Sequence, residues 1–190
     1  VCSSDLNGAL SAGGLEMDEL NYKYHTGSNQ LKRVRDVSPG SANYNNDFED
    51  QPLANYEYDP IGNLKVDKSE CIQDIDWYAN GKVKAVKRIP GCQVNGSYPP
   101  DLEFGYDGMG NRVEKLVKPK DGSGNLTDQS HWKFTYYMRD PSGNTIANYD
   151  RTFAPSGSGY YTDELKLTER PMYGAERIGM HGSDKRMAKV

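Results

Sequence analysis

Tyr106-Asp107-Gly108-Met109-Gly110-Asn111-Arg112 is turn chemistry set between two strand-like runs. Asp at the first corner can accept a hydrogen bond from the backbone two residues on. Gly at the last corner takes a positive φ without steric cost. The runs 102–106 and 112–117 flank it, so the expected product is a β-hairpin. The same pattern stands at Tyr58-Asp59-Pro60-Ile61-Gly62-Asn63 and, with Arg in place of Tyr, at Arg139-Asp140-Pro141-Ser142-Gly143-Asn144. In both, Pro follows Asp, where its fixed φ suits the second residue of a type I turn. Gly three residues after Asp fits the left-handed bulge residue that closes such a hairpin. A variant at Trp77-Tyr78-Ala79-Asn80-Gly81-Lys82 places Asn-Gly between two strand-like runs.

Outward from these turns the chain resolves into successive hairpins. Residues 20–24 and 30–37 flank Thr26-Gly27-Ser28-Asn29 and give the first. The pairs 55–58 with 64–67, 72–77 with 82–89, 102–106 with 112–117, and 131–137 with 145–149 give four more. Residues 38–53 are polar, carry no period and read as a loop; Lys120 to Gly124 and Pro155-Ser156-Gly157-Ser158-Gly159 read as flexible excursions. The tail reads as a strand over 165–170, then a Gly-bearing bend and a half-strand over 173–179. No segment offers an apolar stripe at helical period. The expected fold is all-β: successive hairpins forming an open, twisted, spiral antiparallel sheet, with a unit of roughly twenty to thirty residues that buries its surface only against neighbours.

Composition agrees with a thin sheet more than with a globule. Hydrophobic residues are 35% of 190, and fourteen Tyr fall within that figure, so little remains for an aliphatic centre. Tyr and the two Trp supply strand-forming, half-buried surface instead. With 23 Lys+Arg against 27 Asp+Glu there is no basic footprint, and nucleic acid is not an expected partner. No apolar run is long enough for a membrane-spanning helix. Residues 20–180 read as the sheet segment, 1–19 as a poorly ordered start and 181–190 as a truncated tail. The chain starts at Val1 without Met and reads as an internal piece of something longer, while Val1 to Leu6 fit no neighbouring pattern and resemble translated sequencing-adaptor remnant. An isolated piece of such a sheet leaves strand edges unpaired, so marginal stability or self-association is expected.

Repeated aromatic-x-Tyr-Asp-x-x-Gly-Asn units, as in Tyr56 through Asn63 and Phe104 through Asn111, resemble the YD-repeat or RHS-repeat family. Tyr136-Tyr137-Met138-Arg139-Asp140-Pro141-Ser142-Gly143-Asn144, followed by Tyr173-Gly174-Ala175-Glu176-Arg177-Ile178-Gly179, is similar to the run into the RHS-repeat-associated core of bacterial polymorphic toxins. The resemblance implies hairpins joined edge to edge into a spiral sheet that closes as a cocoon around a C-terminal effector. It implies a non-enzymatic shell segment of a secreted or cell-surface bacterial protein. Its partners would be flanking YD repeats and the encapsulated effector domain. The chain stops before the position where that family places its self-cleavage motif and variable toxin, so neither activity carries over.

The residues that could carry site chemistry have structural readings beside them. Asp59, Asp107 and Asp140 could form a carboxylate ladder for Ca²⁺, but each opens a turn that already uses its side chain. On that reading Tyr58, Gly62, Asn63, Asn80, Gly81, Tyr106, Gly110, Asn111, Gly143 and Asn144 are turn residues as well. His25, His131 and His181 have no metal-ligand spacing, and Gly157-Ser158-Gly159 lacks the strand-to-helix context of a nucleophilic serine. No catalytic residue, metal or cofactor is expected. Exposed Trp77 and Trp132 could stack on sugars, which makes an adhesion module that recognises glycans or a partner surface the alternative to a shell segment; cross-strand aromatic pairing is the structural reading. Cys71 and Cys92 bracket the third hairpin nearly symmetrically about its turn. They are expected either to form a disulfide in an oxidising compartment or to remain two half-buried thiols.

Overall fold

The computed structural model describes residues 20–36, 50–155, 161–173 and 177–182. Residues 1–19, most of the 38–53 loop, the Ser156–Gly159 part of the second excursion, the Gly174–Glu176 bend and the 183–190 tail lie outside the described residues. The chain divides into two compact units, Val1–Glu70 and Cys71–Val190. Among the described residues the regular structure is all-β apart from one 3₁₀ turn, Gln129–His131, and no described helix is long and apolar enough to cross a membrane.

In the first unit β1 (Leu20–Tyr24) pairs antiparallel with β2 (Leu31–Asp36), and β3 (Tyr56–Tyr58) pairs with β4 (Leu64–Asp67). Its apolar core among the described residues is little more than Val34, and a hydrogen-bonded polar cluster does the holding. Asn55 is fully buried: its Nδ2 donates to Asp67 Oδ1 at 2.9 Å, and its Oδ1 accepts from the Ser69 amide at 2.7 Å. Gln51 Oε1 accepts from the Val34 amide at 2.8 Å, while its Nε2 donates to Tyr56 Oη at 2.7 Å. Buried polar groups are tolerated only when paired, and these are. The cluster was invisible to periodicity, because Gln51 and Asn55 sit in sequence that alternates nothing.

The second unit is a meander: β5 (Ile72–Trp77), β6 (Val83–Arg88), β7 (Asp101–Tyr106), β8 (Arg112–Lys118), β9 (Lys133–Arg139), β10 (Thr145–Pro155), β11 (Tyr161–Tyr173) and β12 (Arg177–Gly182). Each strand pairs antiparallel with the next. The sheet is open, since β12 has β11 as its single neighbour among the described residues. Among the described residues its buried apolar side chains are Cys71, Ile75, Ala85, Val86, Leu116 and Ala147, a short row in place of a deep core.

Several boundaries differ from the sequence reading. The strand expected over 131–137 runs instead from Lys133 to Arg139, with His131 in the 3₁₀ turn before it. The excursion drawn from Pro155 narrows, because β10 and β11 continue pairing to Pro155 opposite Tyr161. The strand expected over 165–170 becomes thirteen residues and contains Pro171. Pro171 lies beyond Glu169, the last β11 residue paired with β10, so its missing N–H costs no bond in that ladder. Lys120 to Gly124 is a defined turn, not a linker: Gly124 N donates to Asp121 O at 3.0 Å, Asp121 N to Asn125 O at 2.7 Å, and Gly124 has φ +81°.

Candidate functional site

The polar residues concentrated at the hairpin ends form one device, repeated. At Asp107, Oδ1 accepts from the amides of Met109 and Asn111 at 3.0 and 2.8 Å, and Oδ2 accepts from Asn111 Nδ2 at 3.1 Å. The backbone closes the same ring: Gly110 N donates to Asp107 O and Asp107 N to Asn111 O, both at 3.0 Å. Asp59 with Asn63 and Asp140 with Asn144 repeat the arrangement bond for bond. Gly62, Gly110 and Gly143 all have positive φ, of +94°, +81° and +86°. The hairpin at Tyr78 has the same backbone ring, with Gly81 at φ +75° and Tyr78 where the others have Asp. Asn80 there has no positive φ, so Asn80-Gly81 is not a two-residue mirror-image turn, and Asn80 Oδ1 accepts from Lys82 N at 3.3 Å instead.

Asp121-Gly122-Ser123-Gly124-Asn125 is a further copy that the sequence reading passed over. It lacks the preceding aromatic and sits in linker-like composition. The Asp-x-x-Gly-Asn spacing alone was the signal that could have found it.

In a carboxylate so surrounded, donors favour the charged form. The Asn111 amide and side chain hold the Asp107 carboxyl below its ordinary value, as Asn144 does for Asp140 and the Asn125 amide for Asp121. At Asp59 dehydration opposes, but the bonds from Asn63 outweigh it and the direction is again downward. A folded-state value below the unfolded one contributes stability that is present above about pH 4 and lost as pH falls through the lower folded values. Hydrogen exchange should therefore show the Asn63, Asn111, Asn125 and Asn144 amides losing protection together as the pH falls below about 4. Asp107→Asn should remove the pH dependence at Asn111 alone; an Asn111 profile unchanged by that substitution contradicts the assignment.

Gly110 gives a second test. A Cβ there would meet Lys82 Cε at 2.9 Å, the movable end of a long side chain, so the main cost is the positive φ. Gly110→Val should destabilise by roughly 1–2 kcal/mol, whereas Met109, 77% exposed, should accept Val with little change. Urea unfolding of the two variants decides it, and equal tolerance would undo the turn assignment.

Three residues at strand ends, two of them just before an Asp turn, make a bond that no turn needs. Tyr58 Oη donates to the Leu31 carbonyl at 3.0 Å, Arg139 Nε to the Arg112 carbonyl at 3.0 Å, and Tyr173 Oη to the Thr145 carbonyl at 2.8 Å. The sequence separations are 27, 27 and 28 residues. Each time the acceptor is the first residue of a return strand in the preceding hairpin, β2, β8 or β10. Tyr106 instead packs edge-on against Tyr78 at 5.7 Å. Tyr58, Arg139 and Tyr173 are thus links between hairpins.

The remaining candidate residues are also engaged. The face of Trp132 carries Lys118 Nζ at 4.5 Å, and its indole N–H donates to the Thr127 carbonyl at 3.0 Å. Phe104, Phe134 and Phe153 carry guanidinium groups of Arg112 or Arg151 within 4.6 to 5.4 Å. Trp77 is half-buried at the end of β5. A shallow concavity of about 510 Å³ is bordered by Asp76, Lys87, Glu103, Phe104, Glu114 and Leu116. Two of its carboxylates are paired: Lys87 sits 3.1 Å from Asp76, which it holds below the usual carboxylate range, and Lys118 contacts Glu103. His25 lies edge-on to Tyr58 at 6.4 Å, and His131 is exposed beside Asp128; the side chain of His181 lies outside the described residues. Among the described residues no group of three or more His, Cys, Asp or Glu could hold a metal ion.

Cys71 and Cys92 are joined by a disulfide, with Cα atoms 5.8 Å apart. Ladder pairing between β5 and β6 ends at Ile72 opposite Arg88. Pro90-Gly91 then turns the chain back, with Cys92 N donating to Ile89 O at 3.3 Å and Gly91 at φ +70°, a type II arrangement that returns Cys92 to Cys71. No protein-family model matches the chain, and no curated protein matches it in a sequence search.

Proposed function

We propose that the chain is a non-enzymatic structural segment of a secreted RHS/YD-repeat protein, part of a shell wall that encloses and presents a C-terminal effector. The observation that carries this reading is the reuse of one hairpin connection with one link to the preceding hairpin. The Asp, Asn, Tyr and Arg side chains that would otherwise suggest a site are committed to holding neighbours in register. Such nearest-neighbour construction suits an extended wall. The Cys71–Cys92 bond supports an oxidising compartment, hence secretion or surface display.

The test is to sequence the gene 3′ of the Val190 codon. Further Tyr-Asp-x-x-Gly-Asn units followed by a self-cleavage motif and a variable C-terminal domain are expected; an unrelated catalytic domain directly after Val190 overturns the reading. A glycan array probed with the 190-residue chain is expected to be blank. Binding that disappears on Trp77→Ala or Trp132→Ala would favour an adhesion module instead.

A further inference from the structure

The dipeptide Asn-Gly occurs twice among the described residues, at Asn80-Gly81 and Asn95-Gly96, and the two copies fold into different turns. Asn95 and Gly96 both have positive φ, +48° and +73°, and Val94 and Ser97 exchange backbone bonds across them at 2.9 and 3.0 Å. That is the two-residue mirror-image turn. Asn80 has no positive φ, and its turn is closed by Gly81 N donating to Tyr78 O at 2.9 Å. Turn type therefore decides what the glycine nitrogen does. Around Asn95 the flanking residues make both bonds, and Gly96 N has no partner among the described residues; at Asn80 the Gly81 nitrogen is itself the closing donor. The side chains divide the same way. Asn80 Oδ1 accepts from Lys82 N at 3.3 Å, whereas Asn95 is exposed and its carboxamide makes no hydrogen bond among the described residues.

We propose that Asn95 is a site of spontaneous self-modification, converting through a cyclic imide with Gly96 to aspartate and isoaspartate, while the fold protects Asn80. The Gly96 nitrogen gives its proton to solvent base and attacks Asn95 Cγ. The new N–Cγ bond closes the ring, the Cγ–Nδ2 bond breaks, and ammonia leaves with a proton taken from water. Water then adds to one of the two imide carbonyls and reopens the ring. Opening on one side gives aspartate; opening on the other routes the backbone through Cβ and gives isoaspartate. Nothing is oxidised or reduced, and water is the co-reactant. Ring closure needs the Asn ψ to swing to about −120°, the value that the first residue has in the other mirror-image turn, type II′. Both forms keep φ positive at that residue, and glycine accepts either sign of φ at the second. Asn95 thus reaches the reactive geometry by turning over one exposed peptide while the Val94–Ser97 bonds stay made, and a Cβ placed at Gly96 would meet nothing within 4 Å, so there is room for the rotation. At Asn80 the same swing carries Gly81 N away from the Tyr78 carbonyl and breaks the closing bond. A proton held in that bond is also harder to remove.

The test holds the native, disulfide-intact 190-residue chain at mildly alkaline pH beside a sample unfolded in urea and reductant, and follows the tryptic peptides by mass spectrometry over time. Lys82 and Arg88 lie between the two asparagines, so each falls in its own peptide, and Asn7-Gly8, outside the described residues, falls in a third. In the native chain Asn95 should convert roughly threefold to tenfold faster than Asn80, the factor expected when one closing hydrogen bond must first open. In urea the two rates should converge. The Asn95 peptide should contain isoaspartate, detected by enzymatic methylation of isoaspartyl carboxylates; aspartate alone would mean direct hydrolysis without the ring. Hydrogen exchange should find the Gly81 amide protected and the Gly96 amide unprotected. Equal native rates, Asn80 ahead of Asn95, a difference that persists undiminished in urea, product without isoaspartate, or a protected Gly96 amide each overturns the proposal.

Discussion

Reduction of the Cys71–Cys92 bond, or Cys92→Ala, should lower the unfolding free energy by about 3 kcal/mol, the value expected when a cross-link closes a loop of this length in the unfolded chain. The sequence separation is 21 residues, and the loop spans all of β5 and β6. Backbone strain held at Cys71 offsets part of that gain, so the loss should not exceed it. Cys71 is 1% exposed and holds φ +55°, a conformation disfavoured for any residue with a Cβ, and its carbonyl accepts from Ile89 N at 2.8 Å. The bond helps to pin a backbone that would otherwise relax. Urea unfolding with and without reductant measures the difference. Thiol counting in the unfolded, non-reduced chain should find at most the one remaining cysteine, Cys2. Superimposable unfolding curves, or three reactive thiols, would show that the bond is absent or does not stabilise.

Gly124→Ala should cost roughly 2–4 kcal/mol, combining a left-handed backbone with overpacking. A Cβ at Gly124 would lie 2.7 Å from Gly91 Cα, 2.8 Å from Gly91 N and 2.8 Å from a ring carbon of Tyr98. Two of the three atoms are backbone, so no rotamer change relieves the clash. The Asp121 turn and the Pro90-Gly91 turn would have to part, breaking the 3.4 Å bond from Gly91 N to Gly124 O. Gly122→Ala is the control: it lies in the same turn, meets nothing within 4 Å and needs no positive φ. Its effect should stay within about 0.5 kcal/mol. Thermal unfolding that places the two variants together would mean that the turns do not touch.

The strands and their turns were legible because several local requirements coincide within seven residues. Asp must cap, Gly must take positive φ, and alternation must resume on both sides. Where one requirement lapsed, as in the Asp121 turn without its aromatic, composition misled. The link between hairpins was not legible, because its donor can be Tyr or Arg and its acceptor is a backbone carbonyl 27 or 28 residues earlier, which leaves no side-chain signature. Trp132 shows the same limit. Its ring reads as an exposed platform until β8 places Lys118 over it. The polar cluster of Gln51, Asn55, Asp67 and Ser69 joins residues with no common period, and only pairing geometry reveals that the first three are buried together.

The type II turn at Pro90-Gly91 has a mechanical consequence. Under tension along the chain, strands of the second unit would peel from the β12 end, each hairpin leaving as its backbone ladder to the one before unzips. Peeling would halt at the disulfide that this turn makes possible. Residues between Cys71 and Cys92 would add no extension until the bond is reduced. Force therefore divides this unit into a part that pays out length and a short clasp that does not, a division invisible to heat or denaturant.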